Sequence, residues 1–394
     1  MLLFVSVALF LTMLMIIVQI ARGYGQLESL EATDPRSQTD QPLVSIIVPA
    51  CNEEASIETS LRSLCRLEYT NLEIIVVDDR SVDRTAAVVE AVQRDFPAVR
   101  LIRIRELPDG WLGKPHALQQ GADRAKGNYL LFIDADVCLE KTTISRAVRA
   151  MEARQLDHLT LLFKNNSPGL LLNALIAELG AGLFFLVKPW KVKITGSKFF
   201  IGVGAFNMVR TSVYRSLGEH RKIRLQVVDD VYLGKLVKQG GYRQECMLAE
   251  SLVTLPWYGS VPEMISGLMK NVYAFFFYRP SYVLFGIAAV SALTVVPMAG
   301  ALFARGAEQL FFIATVFLRI AGIGGGMIRI GLPSVSIVFL LITPIISLFI
   351  IIRACFLVQR SGGVVWRESF YRLDRLKEAD WVLSGRFFPL KRKK

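Results

Sequence analysis

An alternation of strand and helix patterns between residues 44 and 133 constrains the fold of this chain more than any other feature. Short apolar runs, typical of buried strands, alternate with segments that have helical spacing. They predict strands and helices as follows: strands at 44–48, 72–77, 101–104 and 129–133, and helices at 54–64, 83–95 and 114–126. Because strands that are connected through helices run parallel, we predict an α/β domain with a mainly parallel sheet covered on both faces.

Acidic residues directly follow several of the predicted strands. Glu53 follows the first strand, Asp78 and Asp79 end the second, and Asp134 and Asp136 follow the fourth. In parallel α/β sheets, ligands bind beyond the carboxyl ends of the strands. The pattern therefore predicts one binding site at this edge of the sheet.

Asp134 and Asp136 carry the most specific chemistry of this group. In an extended chain, residues two positions apart point to the same side. Two carboxylates in that arrangement suit one hard cation, Mg²⁺ or Mn²⁺, which keeps positions open for the phosphate oxygens of a nucleotide. A polar turn after a buried strand explains an isolated D-x-D equally well, so the rest of the chain must decide between the two interpretations.

Several apolar segments indicate a membrane protein. The chain is 53% hydrophobic, and its mean hydropathy is +0.41. Leu2–Ile20 is long enough to span a bilayer, and it lacks the basic start and clear cleavage site of a signal peptide, so we predict a retained anchor. Ser281–Ala304 and Pro333–Val358 are also long enough to span. Gln309–Ile330 contains Arg319, which is unfavourable at the bilayer centre, so we predict a partly embedded or re-entrant segment.

Two further segments are predicted to lie at the membrane surface. Leu170–Leu186 is apolar, but if it crossed the membrane it would separate Asp134 from Asp229, so we interpret it as interfacial or re-entrant. Pro262–Tyr278 has the spacing of an amphipathic helix, and packing on a soluble core is the alternative. The predicted organisation is an anchor at 1–22, a catalytic domain at 42–280 with interfacial helices near 170–187 and 262–279, a membrane region at 281–358 and a basic tail at 359–394.

The net charge of +12 is explained by the tail rather than by binding of nucleic acid. Arg360–Lys394 contains ten Lys and Arg residues against four acidic residues, directly after an apolar segment. Basic residues next to a membrane segment mark the cytoplasmic side. We therefore predict a multi-pass protein of the cell (inner) membrane with a cytoplasmic catalytic domain and tail. The five cysteines are scattered, which favours neither a disulfide framework nor a zinc site.

Five motifs in order resemble the family-two glycosyltransferases, which have the GT-A fold. They are V-S-I-I-V-P-A-C-N-E-E (44–54), I-I-V-V-D-D-R-S-V-D-R-T (74–85), G-W-L-G-K-P-H-A-L (110–118), F-I-D-A-D-V (132–137) and V-D-D-V-Y-L-G (228–234). The resemblance covers about residues 42–280 and is greatest to the membrane-bound hopanoid-associated and carotenoid-modifying glycosyltransferases. It implies a Rossmann-like GT-A domain, a nucleotide-sugar donor (most often a UDP-sugar) and a membrane lipid as acceptor.

The resemblance also implies a role for each matching position. The residues implied to bind the nucleotide are Pro49, Asn52, Glu53, Asp78, Asp79, Lys114 and Asp134. Asp134 and Asp136 are implied to hold the metal on the diphosphate. The base of an inverting transfer is implied to be Asp230, with Asp229 beside it. Asp229 stands where the family usually has Glu, and acids in the first turn of a helix also have a structural explanation.

Polymer synthesis is disfavoured, because the Q-x-x-R-W motif of processive synthases does not follow Asp230. The alternatives to lipid glycosylation are a polyprenyl-phosphate sugar transferase, a polysaccharide synthase and a non-catalytic membrane scaffold. Of the histidines, His116 is predicted near the diphosphate and His158 at the surface. His220 remains open between the site and the surface.

Overall fold

The computed structural model describes residues 1–35, 41–366 and 369–384, and the last part of the predicted basic tail lies outside them. The chain divides into two compact units. The sheet unit contains Leu27–Asn166 and Pro189–Pro256, and the helical unit contains Met1–Gln26, Ser167–Lys188 and Trp257–Glu378. The two predicted interfacial segments thus belong to the helical unit, while the domain boundaries proposed from the sequence stay a prediction.

The sheet unit is built on a seven-stranded, mainly parallel sheet. The strands of this unit are β1 (Val44–Ala50), β2 (Leu72–Asp79), β3 (Val99–Ile104), β4 (Tyr129–Phe132), β5 (Cys138–Leu139), β6 (His158–Leu162), β7 (Lys164–Asn165), β8 (Asn207–Arg210), β9 (Gln244–Leu248) and β10 (Val253–Leu255). The large sheet has the order β3-β2-β1-β4-β8-β6-β9, and β5, β10 and β7 form a small second sheet. Of the large sheet, β8 alone runs antiparallel to both neighbours. The predicted α/β class with a mainly parallel sheet is confirmed.

Helices cover this sheet as the spacing predicted. They are α2 (Ile57–Leu64), α3 (Thr85–Asp95), α4 (Gly113–Arg124), α5 (Thr143–Ala153), α7 (Thr211–Ser216), α8 (Glu219–Lys222) and α9 (Asp229–Gln239). Val48 and Val76 pack on one face of the sheet with helix residues such as Leu61. Ile47 and Phe132 pack on the other face with residues that include Leu233 of α9. Both faces of the sheet are therefore buried, as its continuous apolar strands require.

The helical unit contains the apolar helices. They are α1 (Leu2–Tyr24), α6 (Leu170–Val187), α10 (Val261–Phe275), α11 (Pro280–Val290), α12 (Val296–Phe303), α13 (Ala307–Arg329) and α14 (Thr343–Ser361), followed by β11 (Gly363–Trp366), β12 (Ser369–Arg372) and α15 (Leu373–Ser384). A π-helical segment at Ser291–Val295 joins α11 to α12, so 280–303 is continuous. Five helical stretches among the described residues are long and apolar enough to cross a membrane: 2–24, 170–191, 280–303, 307–329 and 343–361.

Helix α13 corrects the prediction for residues 309–330. It is one continuous helix of 23 residues, or about 35 Å at 1.5 Å per residue, which is enough to span a bilayer. It runs parallel to α1, because Phe10 contacts Phe311 near one end, and the Arg329 guanidinium lies 4.6 Å from the ring of Tyr24 at the other. The sequence argument failed because it treated Arg319 as unpaired.

Arg319 is in fact neutralised inside the helical unit. Its Nη1 lies 2.6 Å from Oε2 of Glu178 in α6, and its Nη2 donates to the carbonyl oxygen of Leu340. The hydroxyl of Thr343 donates to the same Glu178 oxygen at 2.6 Å. A charge that is paired and hydrogen-bonded in this way can be accommodated in an apolar environment.

This network also places the segment after α13. A 3-10 helix at Ser334–Leu341 follows α13 and ends beside Arg319, near the middle of α13. Helix α14 starts there at Thr343 and packs against both α10 and α11. The predicted span at 333–358 is therefore two helical segments, and the second starts at the level of the middle of α13.

We expect single substitutions of the pair to destabilise the protein and the double substitution to recover part of the loss. Arg319→Leu leaves the carboxylate of Glu178, which is 12% exposed, without its cationic partner, and removing one member of a buried pair typically costs about 3–5 kcal/mol. Glu178→Leu with Arg319→Leu leaves no buried charge, so its thermal transition in detergent should lie above that of Arg319→Leu. A double variant that was the less stable would contradict this account.

Candidate active site

The carboxyl ends of three neighbouring parallel strands define the candidate site. Strand β1 pairs in parallel with β2 on one side and with β4 on the other. The chain leaves all three strands at the same edge of the sheet. The acids that follow these strands in the sequence are therefore brought to one edge, as predicted.

The loops after β1 and β2 are held together by hydrogen bonds. The backbone N–H of Asn52 donates to the Ser81 hydroxyl at 3.0 Å, and its side-chain oxygen accepts from the N–H of Val82 at 2.9 Å. The N–H of Glu53 donates to Oγ1 of Thr85 at 2.8 Å. Asn52 has a φ of 57°, a left-handed conformation that Asn tolerates better than most residues. Asn52 therefore holds the two loops in one shape.

Pro49, Asp78 and Asp79 line the same edge. Pro49 is the next-to-last residue of β1 and lies opposite Val77 of β2. Asp79 is buried, and Nε and Nη2 of Arg80 donate to its two carboxylate oxygens at 2.8 and 3.2 Å. Oδ1 of Asp78 accepts from the N–H of Ser81 at 3.3 Å. A nucleotide base that hydrogen-bonds to Asp79 would therefore have to share the carboxylate with Arg80 or displace the Arg80 side chain.

The segment 110–114, which leads into α4, approaches the same edge of the sheet. A Cβ atom on Gly113 would overlap Oδ2 of Asp79, so any other residue here would displace the Asp79 carboxylate. The following residue, Lys114, then reaches from the start of α4 toward Asp134. The G-W-L-G-K motif thus connects the residues after β2 with those after β4.

Lys114 and three aspartates share one pocket, which we call the acid pocket. It is lined by Lys114, Leu118, Phe132, Ile133, Asp134, Gly204, Asn207, His220, Asp229 and Asp230. Nζ of Lys114 lies 2.6 Å from Oδ1 of Asp134 and 3.8 Å from Oδ1 of Asp229. Burial opposes the charge of Lys114, but the carboxylates of Asp134, Asp229 and Asp230 outweigh it and raise its pKa. Lys114 is therefore a fixed positive charge among these acids.

Asp229 and Asp230 have different surroundings, although they are adjacent at the start of α9. The side chain of Asp229 is buried, and Lys114 lies beside one of its oxygens. Asp230 is half-buried, and its Oδ1 accepts the N–H of Val231 at 2.8 Å. Burial raises the pKa of both carboxyls, and Lys114 counteracts this shift in each. Asp230 is therefore the more accessible acid of the two.

Glycines position the start of α9 against the loop that precedes β8. A Cβ atom on Gly202 would overlap the carbonyl of Asp230, and one on Gly234 would overlap the carbonyl of Ile201. A Cβ on Gly204 would lie 2.5 Å from Oδ2 of Asp134. This loop and α9 thus meet backbone to backbone, and the contact fixes Asp230 relative to Asp134.

Asp136 does not line the acid pocket, but its carboxyl group is close enough to Asp134 to be influenced by that charge. Burial raises its pKa to about 7, and the negative charges of Asp134 and Glu53 add to the shift. Within residues 1–35, 41–366 and 369–384, no three His, Cys, Asp or Glu side chains form a group that could hold a metal ion. Asp134 and Asp136 fit a hard divalent cation as two carboxylate ligands whose mutual repulsion it would relieve, with phosphate and water as the other ligands.

The structure corrects the prediction for His158 and places His220, which the sequence left open, in the site. His158 was predicted at the surface and is fully buried, because β6 lies inside the sheet between β8 and β9. It hydrogen-bonds to Asn207, which lines the acid pocket. His220 lies in the acid pocket itself. Its only sequence signal was a position nine residues before Asp229, which does not distinguish it from a surface histidine.

Part of the sheet unit is similar to known proteins. Residues 45–218 match glycosyl transferase family 2. The chain is 31% identical over 147 residues to a probable glycosyltransferase, YdaM, of Bacillus subtilis, covering 36% of this chain and 35% of that protein. It is 32% identical over 118 residues to the beta-monoglucosyldiacylglycerol synthase of a Synechocystis species, covering 29% and 24% of the two chains. The matches thus span about a third or less of these relatives.

The fold is also similar to that of a solved structure. The mannosyltransferase PcManGT from Pyrobaculum calidifontis, determined with GDP-Man and Mn²⁺, has a TM-score of 0.54 and 16% sequence identity. The similarity covers 91% of this chain and 99% of that one. It confirms the GT-A fold that the motifs predicted, and it extends over nearly the whole chain.

Proposed function

We propose that this chain, which contains a glycosyl transferase family 2 domain at residues 45–218, transfers a sugar from a nucleotide sugar to a membrane lipid. The observation that carries the proposal is the acid pocket, in which Lys114 joins an acid after β4 to the acids of α9. A site for such a transfer needs a positive charge for the phosphates and a carboxylate for the acceptor. Both lie in this pocket, at the ligand-binding edge of the sheet.

The donor would lie along the carboxyl ends of β1, β2 and β4. Its nucleoside would contact the loops that carry Pro49, Asn52, Glu53, Asp78 and Asp79. Its diphosphate would lie near Lys114, whose charge offsets that of the phosphates. Lys114 lies 2.6 Å from Asp134, so it would have to share this contact with the phosphates.

Asp134 and Asp136 would hold a divalent cation, Mg²⁺ or Mn²⁺. When bound, the cation stabilises the negative charge of the leaving nucleoside diphosphate. The support from this chain is the environment of Asp136, whose pKa is raised by burial and, in addition, by repulsion from Asp134. The fold relative from Pyrobaculum was solved with Mn²⁺ and GDP-Man, which is consistent with this role.

Asp230 would act as the base of an inverting transfer. The acceptor oxygen attacks the anomeric carbon from the side opposite the diphosphate, its proton passes to the Asp230 carboxylate, and the bond to the diphosphate oxygen breaks. The greater exposure of Asp230 supports this assignment over Asp229. Asp229 would keep its buried position beside Lys114 and support the geometry of the pocket.

The proposed acceptor is a hydroxyl or carboxyl group of an isoprenoid-derived or other membrane lipid. Candidate membrane helices make up much of the chain, and one relative is named for the synthesis of a glucosyl lipid. Helix α10 adds a basic side chain at the end of the apolar region, since Lys270 lies 4.0 Å from the ring of Trp366. A lipid acceptor thus explains why a sugar-transfer domain would carry these helices.

The proposal is tested with the purified full chain in lipid bilayers. UDP- and GDP-sugars are supplied with Mg²⁺ or Mn²⁺, and release of nucleoside diphosphate is followed with and without an extract of bacterial lipids. We expect release that needs the cation and increases with the extract, together with a sugar-bearing lipid in the products. If no donor releases nucleoside diphosphate under any of these conditions, the proposal is wrong.

We also expect the tail after α14 to lie in the cytoplasm, on the inner side of the cell membrane. Ten basic residues in Arg360–Lys394 favour this side. The contact between Trp366 and Lys270 supports a return of the chain to the level of α10, which precedes the helical stretch 280–303. Two crossings of the membrane, at 280–303 and 307–329, would place the tail on the same side as α10.

Cysteine labelling in intact cells checks the orientation. A cysteine placed after Lys394, in a chain without its native cysteines, should resist a membrane-impermeant reagent. A cysteine at Arg305, in the turn between α12 and α13, is the matched control and should be labelled. Labelling after Lys394 would refute the cytoplasmic tail.

A further inference from the structure

His220 is a buried side chain that faces the acid pocket and has no role in the scheme above. It is 1% exposed, and its ring meets that of Phe132 edge to face at 4.9 Å between centroids. It lies on the short helix α8, which a backbone of positive φ at Gly218 and Glu219 introduces. The ring is therefore held in one place, between the sheet and α9.

Hydrogen bonds to Tyr214 decide which ring nitrogen carries the proton. The Tyr214 hydroxyl oxygen accepts the backbone N–H of His220 at 3.1 Å. The same hydroxyl lies 2.7 Å from Nδ1 of the ring, and Nδ1 is the only acceptor for its proton that the described residues provide. The hydroxyl must therefore donate to Nδ1. A neutral imidazole that accepts at Nδ1 carries its proton on Nε2.

The protonated Nε2 is directed at Asp229. It lies 3.9 Å from Oδ2, while Lys114 lies 3.8 Å from Oδ1 of the same carboxylate. These distances are longer than hydrogen bonds, and such contacts often shorten only when the substrates are bound. Asp229 thus has one protein donor beside each oxygen, whereas Asp230 is half-exposed.

We propose that His220 is a positioning residue that donates Nε2–H to Asp229, in a tautomer fixed by the Tyr214 hydroxyl. The inference rests on the proposed function, because its purpose is to hold Asp229 and Lys114 in place while Asp230 receives the proton of the acceptor. Tyr214, His220 and Asp229 then form a chain of donors and acceptors that starts in the core and ends in the acid pocket. Asp229 receives a neutral donor on one side and a cation on the other.

The charge state of the ring agrees with this arrangement. Burial lowers the pKa of His220 to about 3, and the positive charge of Lys114 adds to the shift. The described groups around the ring are Tyr214 of α7, Phe132 of β4, Lys114 of α4 and Asp229 of α9. Of these groups, only the negative charge of Asp229 would favour a second proton on the ring, and the positive charge of Lys114 offsets that of Asp229.

Nitrogen-15 NMR of the full chain tests the tautomer without any assay of transfer. The chain has three histidines, so loss of one set of signals in His220→Gln assigns the His220 ring when the affinity tag contains no histidine. We expect a protonated Nε2 and a bare Nδ1 between about pH 5 and pH 8, where an ordinary histidine titrates. Tyr214→Phe should alter these signals, and Tyr242→Phe, which removes a hydroxyl bonded to Ser216 of the same helix α7, should not.

Kinetics test the positioning role. His220→Leu removes the donor and should lower kcat by about 10- to 100-fold, as loss of supporting hydrogen bonds around a site typically does, with little change in KM for the donor. His220→Gln keeps an N–H near the Nε2 position and should recover most of kcat. Because His220 acts through Asp229, His220→Leu combined with Asp229→Asn should be little slower than the slower single variant.

The results that would overturn the role of His220 differ from those that would overturn the proposed function. A proton on Nδ1, protonation of both nitrogens at neutral pH, wild-type kcat in a folded His220→Leu variant or multiplying losses in the double variant would each overturn the inference. If His220→Leu does not fold, the NMR signals of Tyr214→Phe and the kinetics of His220→Gln still decide. If the wild-type chain transfers no sugar, the proposed function fails, and NMR alone then reports the hydrogen bond from Nε2.

Discussion

Replacement of Asp230 by Asn should lower turnover by about 10²–10⁴-fold, the usual effect of removing a general base. Asn has nearly the same shape and can still accept the N–H of Val231, so the start of α9 should keep its structure. It cannot take the proton of an acceptor hydroxyl. The expected change is therefore in kcat, while the affinity for the donor and for the cation stays near that of the wild type.

Asp229→Asn is the matched comparison, because it makes the same chemical change one residue earlier. Its effect should be milder, since Asp229 is buried beside Lys114 and His220 and is less accessible to an acceptor. Turnover of both variants is measured with one donor and one lipid acceptor. A larger loss in Asp229→Asn, with near-normal turnover in Asp230→Asn, would reverse the assignment of the base. Normal turnover in both variants would mean that the site lies elsewhere.

Asp136→Ala should abolish turnover and weaken nucleotide binding that depends on the cation, while the chain still folds. Folding is expected to survive because removal of Asp136 relieves repulsion with Asp134 and Glu53, which contributes to its raised pKa. The loss of one of two protein ligands should have its main effect on the cation. Calorimetry with UDP, in the presence and absence of Mn²⁺, measures this directly.

Asp95→Ala is the control for the loss of one negative charge. Asp95 ends α3, its side chain is 57% exposed, and it pairs only loosely with Arg62 at 3.5 Å. Its binding of UDP with Mn²⁺ should match that of the wild type. An Asp136→Ala variant with the same cation-dependent affinity as this control would remove Asp136 from the metal site.

Most of the sheet unit could be predicted because its signals are local. Continuous apolar runs at 44–48, 72–77 and 129–133 predicted adjacent buried strands, and the structure pairs them in parallel. The acids after these strands share one edge for the same reason. The sequence also predicted a helix that starts at Asp229, although only the structure shows that Asp229 is the more buried of the two acids.

What could not be predicted depends on contacts between distant residues. Arg319 made 309–330 look unsuited to the membrane, because its partner Glu178 lies 141 positions earlier in the chain. His158 was assigned to the surface because the position of β6 inside the sheet depends on strand order rather than on local sequence. His220 gave no distinguishing signal, since its proposed role requires Tyr214, Lys114 and Asp229 to meet in space.

Two backbone contacts, of Gly202 with Asp230 and of Gly234 in α9 with Ile201, restrict which substitutions this site can accept. Any side chain at either position would push α9 away from the neighbouring loop and so shift the acids that α9 carries. By contrast, Gly180, Gly325 and Gly326 have open space where a Cβ would lie. These three positions of the apolar helices can therefore take a side chain without the backbone overlap that one at Gly202 or Gly234 would cause.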